Sequence, residues 1–143
     1  MSSKLSAAVV GATGYTGAEL VRLLHGHPGI ALTGLYAHST AGQPVGDVLP
    51  SLAGRADVVR TFEGDVEADL VFCALPHGAS APIVDALRSA GRVVFDLSAD
   101  FRLTDRAVYQ EWYGEHGAPG RFGQAVYGLP ELNRAALADA RLI

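Results

Sequence analysis

The chain has 143 residues, of which 49% are hydrophobic and 18% charged. That length suits one domain with its own core, and that balance excludes disorder, which needs low hydrophobicity and high charge. A net charge of −4, from 11 basic and 15 acidic residues, gives nucleic-acid binding no electrostatic support, and a single cysteine excludes an internal disulfide framework and a cysteine-based zinc site.

The chain alternates short apolar runs with helical segments, the pattern of a parallel sheet. Residues 5–10 read as a first strand ending at Gly11. Residues 17–24 carry Leu20, Val21, Leu23 and Leu24 against Glu19 and Arg22, a short helix stopped near Gly26 and Pro28. Residues 30–37 read as a second strand and residues 58–62 as a weaker third. The alternating acidic stretch 63–69 reads as a solvated edge or loop. Residues 70–75 form a wholly apolar fourth strand before Pro76.

Residues 80–90 read as a helix with Ser80 as its cap, Pro82 in its first turn and Gly91 as its stop. Residues 93–97 are a fifth strand. Residues 104–113 are a third helix, with Val108 and Trp112 four apart on one face. A glycine-rich loop, 114–130, leads to a fourth helix over 133–140, with Asn133 as its cap. Residues 141–143 read as the start of another strand. A doubly wound sheet usually continues there, so the sequence reads as the N-terminal part of something longer. No apolar stretch reaches the ~18–20 residues that span a bilayer. The N-terminus lacks a signal peptide's apolar segment, and a soluble, cytoplasmic chain is expected.

The strongest chemical signal is Gly11-Ala12-Thr13-Gly14-Tyr15-Thr16-Gly17, which follows the first strand and opens a helix. Gly11 permits the tight turn, Gly14 lets backbone approach a pyrophosphate, and Gly17 lets helix and strand pack closely. The helix N-terminus offers unpaired N–H groups to the phosphates, and Thr13 and Thr16 could add hydroxyls. The fold class is therefore α/β, a doubly wound, Rossmann-type, mostly parallel sheet. Residues 1–143 are expected to form one dinucleotide-binding domain.

An acidic residue after the second strand would bind the ribose 2′-hydroxyl of NAD. That neighbourhood reads Ala37-His38-Ser39-Thr40, and no Asp or Glu occurs from Leu20 through Gly46. The absence permits NADP(H), with His38, Ser39 and Thr40 as its polar contacts, although no Arg or Lys stands there. At the carboxyl end of the fourth strand, Leu75-Pro76-His77-Gly78 would pass the ribose or nicotinamide. After the fifth strand comes Asp96-Leu97-Ser98-Ala99-Asp100-Phe101-Arg102, where Arg102 could grip a phosphate or carboxylate and Asp96 and Asp100 could orient it. The alternative is a local Asp–Arg pair that only fixes the loop. Cys73 lies inside the apolar run 71–75. It is expected to be buried, with a raised pKa and little reactivity.

Four motifs together resemble the N-terminal part of the N-acetyl-γ-glutamyl-phosphate reductase family. They are the glycine turn, Ala74-Leu75-Pro76-His77-Gly78, Asp96 through Leu103, and Tyr127-Gly128-Leu129-Pro130-Glu131-Leu132. The resemblance covers the chain in order. It implies NADPH-dependent reduction of an acyl phosphate to a semialdehyde, in arginine biosynthesis. In that family a cysteine thiolate displaces phosphate to give a thioester, and hydride then releases the aldehyde, with a histidine as acid/base. By the resemblance Gly11 to Gly17 cradle the pyrophosphate, Ser39 and its neighbours meet the 2′-phosphate, Leu75 to Gly78 line the cofactor, and Ser98, Asp100 and Arg102 face the substrate. The family's nucleophile belongs to a Gly-Cys-Tyr-Pro-Thr segment expected just beyond Ile143. Cys73 does not match it. No catalytic residue is therefore assigned to this chain, which is expected to be inactive without the C-terminal catalytic and dimerisation domain. A full-length form is expected to be a homo-oligomer.

Three other readings remain at this point. One is a related aspartate- or aminoadipate-semialdehyde dehydrogenase. Another is a non-catalytic dinucleotide-binding or regulatory module. The third, a short-chain reductase or epimerase, needs a Tyr-x-x-x-Lys pair that the chain lacks, its one lysine being Lys4. The open apolar edge of the fifth strand and of any strand begun at Arg141 is expected to leave a marginally stable domain prone to associate.

Overall fold

A computed structural model describes residues 4–143. Five strands form one sheet: β1 (Leu5–Val10), β2 (Ile30–Tyr36), β3 (Val59–Arg60), β4 (Leu70–Cys73) and β5 (Val93–Asp96). Their order is β3-β2-β1-β4-β5, and every pairing is parallel. The helices are α1 (Tyr15–His25), α2 (Val45–Val48), α3 (Ser80–Ser89), α4 (Arg106–Tyr113) and α5 (Pro130–Leu137).

Alternation along each strand sorts the core into two layers. Ala8, Val10, Val71, Cys73 and Val94 meet Ala81, Val84 and Leu87 of α3. Val9, Leu35 and Val59 meet Val21 and Leu24 of α1 on the opposite face. Each fully buried valine or leucine side chain contributes about 1.5–3 kcal/mol relative to exposure. Helices on both faces of a parallel sheet make the domain doubly wound, as expected. The chain reverses direction across the sheet at β1, whose neighbours are β2 and β4. The loops after β1, β2, β4 and β5 therefore gather along one sheet edge, where ligands bind in such sheets.

Several local expectations are corrected. Ser80 does not cap α3; its Oγ donates instead to Asp96 Oδ1 at 2.5 Å. Asn133 is not a cap either. Helix α5 begins at Pro130, and Asn133 sits at a kink with its Nδ2 donating to the Tyr127 carbonyl at 2.9 Å. The face of α4 that Val108 and Trp112 share is the exposed one, with Trp112 74% exposed, and the helix buries Tyr109. Nor is the acidic stretch merely solvated. Val66 and Ala68 are buried, Asp65 pairs with Arg92 at 2.7 Å, and Asp69 accepts from Ser6. Along the edge of β5, residues 141–143 are paired as the sequence leads one to expect. Val94 N–H donates to the Arg141 carbonyl and Asp96 N–H to that of Ile143, a parallel bridge between Val94 and Leu142 that leaves Leu142 buried. Among the described residues no helix is long and apolar enough to cross a membrane.

Candidate dinucleotide and anion site

The turn after β1 is built by glycines for two distinct reasons. Gly11 has φ +84°, and a Cβ there would lie 2.3 Å from the Ala74 carbonyl oxygen. A Cβ on Gly17 would lie 2.0 Å from the Gly11 carbonyl oxygen. Both positions are closed to side chains by the fold itself. Gly14 differs. Its φ is −76°, it is exposed, and the nearest atom to an added Cβ is the Gly11 carbonyl oxygen at an ordinary 3.6 Å. Nothing in the fold asks for glycine at 14. Beside it, the N–H groups of Tyr15, Thr16 and Gly17 find no acceptor among the described residues, and no side chain caps α1. Unpaired donors around an open position fit the pyrophosphate of a dinucleotide.

The turn is tied to the loop after β2. Gly11 and Ala12 donate their N–H groups to the Tyr36 carbonyl at 2.8 and 3.0 Å, and the Thr40 hydroxyl donates to that of Thr13 at 3.2 Å. His38 and Ser39 are exposed at the tip of that loop. Thus the residues read as the two ends of one cofactor site are neighbours in the fold.

The loops after β4 and β5 form a second unit around Asp100. Its carboxylate is fully buried and accepts from the N–H of Gly78 at 2.7 Å, the N–H of Ala81 at 2.9 Å and the hydroxyl of Tyr109 at 3.0 Å. Its carbonyl lies 2.7 Å from Nε2 of the buried His116. The N–H of Ala118 donates to Nδ1 of that ring at 3.0 Å, which leaves Nε2 as the donor to Asp100. Asp100 therefore caps α3 from a distance, and its carboxylate is occupied by these three donors.

Arg102 is exposed and pairs with neither Asp96 nor Asp100. Its Nη2 instead donates to the Tyr113 hydroxyl at 3.1 Å. The Tyr113 ring also meets His77 edge-on, with centroids 5.3 Å apart. Leu75 is half-buried, and Pro76, His77 and Gly78 are exposed above the strand ends. Asp96 is held by Ser80 and Ser98, and burial raises its pKa. Ser98 and Arg102 border a cleft of about 460 Å³, lined also by Phe72, Phe95, Leu97 and Tyr127. Cys73 is buried. Burial, and then the charge of Asp96, push its pKa up to about 12, so it is a protonated thiol at neutral pH. Among the described residues no cluster of three or more His, Cys, Asp or Glu could hold a metal ion.

Residues 6–140 match the family model described as semialdehyde dehydrogenase, NAD binding domain. The chain belongs to this family. It is 48% identical over 143 residues to the N-acetyl-gamma-glutamyl-phosphate reductase of Geobacter sulfurreducens, covering 97% of this chain and 41% of that protein. It is 51% identical over 151 residues to the same enzyme of Rhodospirillum rubrum, covering all of this chain and 43% of that one. The chain thus spans about two-fifths of the length of these curated relatives. Among solved structures, aspartate semialdehyde dehydrogenase with NADP from Candida albicans matches with a TM-score of 0.62 at 28% identity, over 70% of this chain and 31% of that one. Aspartate semialdehyde dehydrogenase II from Vibrio cholerae matches with a TM-score of 0.67 at 18% identity, over 98% of this chain and 40% of that one, a likeness of fold alone.

Within this semialdehyde dehydrogenase NAD-binding domain, four polar residues of the site region had no role in the sequence reading. Tyr109, Tyr113 and His116 lie on a helix and a loop whose partners are at residues 77–102, too far along the chain for spacing to reveal. Arg60 lies on a two-residue strand, and only the parallel pairing of β3 with β2 brings it beside the loop 37–43. Its charge was visible in the sequence, but its neighbour was not.

Proposed function

We propose that this chain is the dinucleotide-binding part of an NADPH-dependent reductase that converts N-acetyl-γ-glutamyl phosphate to the semialdehyde and phosphate. The observation that carries the reading is identity of 44–51% with N-acetyl-gamma-glutamyl-phosphate reductases over nearly the whole chain. The glycine turn supports the cofactor assignment, because Gly14 is a glycine that the fold alone does not require. Bound there, the nicotinamide cofactor would supply hydride. The chain's own contribution is to hold and orient. Backbone N–H groups of residues 15–17 would meet the pyrophosphate. His38, Ser39 and Thr40 would meet the adenosine ribose and its 2′-phosphate. Leu75 to Gly78 would border the nicotinamide ribose. Arg102, with Ser98 beside it, would hold the anionic end of the acyl phosphate.

The C. albicans enzyme with NADP favours one second reading, an aspartyl rather than an N-acetylglutamyl phosphate as substrate. Both substrates place the same acyl phosphate before Arg102. An enzyme of either kind would work in the cytoplasm. As a homo-oligomer it would assemble through the parts of the relatives that lie outside the matched segment.

The test is calorimetric titration of the chain with NADPH and separately with NADH, alongside circular dichroism. NADPH binding tighter than NADH is expected. A folded chain that binds neither would sink the reading. The chain should not reduce the acyl phosphate, because its one cysteine is buried and protonated. Turnover by the purified chain would overturn that assignment.

A further inference from the structure

The loop after β2 bears no cation, yet a 2′-phosphate there carries close to two negative charges. The fold supplies a cation from the next strand. Tyr36, the last residue of β2, is in register with Arg60, the last residue of β3. Backbone hydrogen bonds hold the loop against that strand on both sides. The N–H of Ala37 donates to the Arg60 carbonyl at 3.0 Å, the N–H of Gly42 to that of Val59 at 2.7 Å, and the N–H of Val59 to that of Gln43 at 2.9 Å. His38, Ser39 and Thr40 thus project from a loop whose two stems are bonded to Val59 and Arg60. On the other side of Tyr36 stands the glycine turn, which donates to the Tyr36 carbonyl. Glycine turn, His38–Thr40 loop and Arg60 therefore lie in one row along the sheet edge.

The two residues of β3 divide their work. Val59 is fully buried against Leu35 and Val45, whereas Arg60 points to the other face and is exposed. Among the described residues no carboxylate lies within ion-pair distance of its guanidinium; the three ion pairs involve Arg22, Arg92 and Arg121. The nearest acids in sequence are Asp57 and Glu63, and none occurs from Leu20 through Gly46. Adjacent strands are about 4.8 Å apart, and an extended arginine side chain is longer than that spacing. A guanidinium is also the fork that matches a phosphate bidentately.

We propose that Arg60 is the specificity-determining residue for the cofactor: it pairs with the 2′-phosphate of NADPH and so discriminates against NADH. This rests on the reading of the glycine turn and residues 38–40 as the dinucleotide site. The discriminating charge then comes from β3, not from the loop after β2.

The experiment measures dissociation constants of the 143-residue chain and its Arg60→Ala and Arg60→Lys variants for NADPH, NADH, 2′,5′-ADP and 5′-AMP. A charge-assisted contact to phosphate implies that Arg60→Ala weakens NADPH and 2′,5′-ADP by about tenfold or more. NADH and 5′-AMP should change by less than about twofold, and Arg60→Lys should recover part of the loss. Equal weakening of all four ligands, or an unchanged NADPH preference, would overturn the role of Arg60 while leaving the site intact. A wild-type chain that is folded and binds none of the four would overturn both the site and the inference. Wild type and Arg60→Ala sharing one NADPH-to-NADH ratio near unity would overturn the inference alone.

Discussion

The two halves of the site are held by different means. The turn after β1 is a local device: seven consecutive residues, three of them glycines, make a strand-to-helix corner with unpaired donors. The loops after β4 and β5 are a tertiary device, in which a single buried carboxylate gathers the start of α3, a tyrosine of α4 and, through its own carbonyl, His116. The first half needs the absence of side chains, and the second needs particular ones. A substitution should therefore act on the first through sterics and on the second through unsatisfied hydrogen bonds.

The sharpest way to break the first half is Gly17→Ala. Its methyl would sit 2.0 Å from the Gly11 carbonyl oxygen and 2.9 Å from the Ala12 carbonyl carbon, both backbone atoms that cannot rotate away. Helix α1 must shift off β1, which uncovers Val21 and Leu24. We expect a loss of about 3 kcal/mol, read by urea denaturation. A variant as stable as wild type would show that the corner can relax, and the steric account of this half would be wrong.

Asp100→Asn tests the second half with a smaller effect. The amide keeps the shape but accepts through one oxygen and turns an NH₂ toward a donor. Charge-assisted bonds to Gly78, Ala81 and Tyr109 become neutral or unmade, costing about 2 kcal/mol. Tyr109→Phe removes one of the three and costs about 1 kcal/mol. It also carries a pH signature. Burial, and then the bond to Asp100, raise the Tyr109 pKa from 10.0 to about 12. A group whose folded pKa is raised contributes stability that is whole below its unfolded value and lost as pH climbs through the folded one. The gap between wild type and Tyr109→Phe should thus narrow from pH 10 toward 12. A gap that stays constant across that window would mean the hydroxyl is not held as described.

The same contrast explains what could be read from the sequence. Strand β1 runs over the expected residues 5–10, and β2, β4 and β5 end within one or two residues of their apolar runs, because period and length are local properties. The glycine turn was legible for the same reason. The errors fall where a distant residue takes over a local task. Ser80 was the natural cap for α3, but Asp100 caps it from 20 residues away and frees Ser80 for Asp96. On α4 the spacing of Val108 and Trp112 marks a shared face, but spacing alone does not say which face turns inward. The inward residue is Tyr109, chosen by its hydroxyl's bond to Asp100 and by rings of His116 and Phe122. Arg102 was expected to lean on Asp96 or Asp100, yet both carboxylates are already spent on hydroxyls and backbone.

The smallest effect on stability should come from Gly14→Ala, and it is the most telling about ligand binding. Gly14 has the ordinary φ of −76°, and an added methyl meets only the Gly11 carbonyl oxygen at 3.6 Å. The fold has no reason to resist it, so stability should change by less than about 0.5 kcal/mol. If the position is open because a pyrophosphate must approach the backbone, the same methyl stands where the phosphate oxygens belong. NADPH and NADH should then weaken together by about tenfold or more, since the pyrophosphate is common to both. That pattern differs from Arg60→Ala, which should weaken NADPH and leave NADH nearly unchanged. Gly14→Ala binding both as wild type does would show that residue 14 is not in the cradle, even with Gly11 and Gly17 still indispensable to the turn.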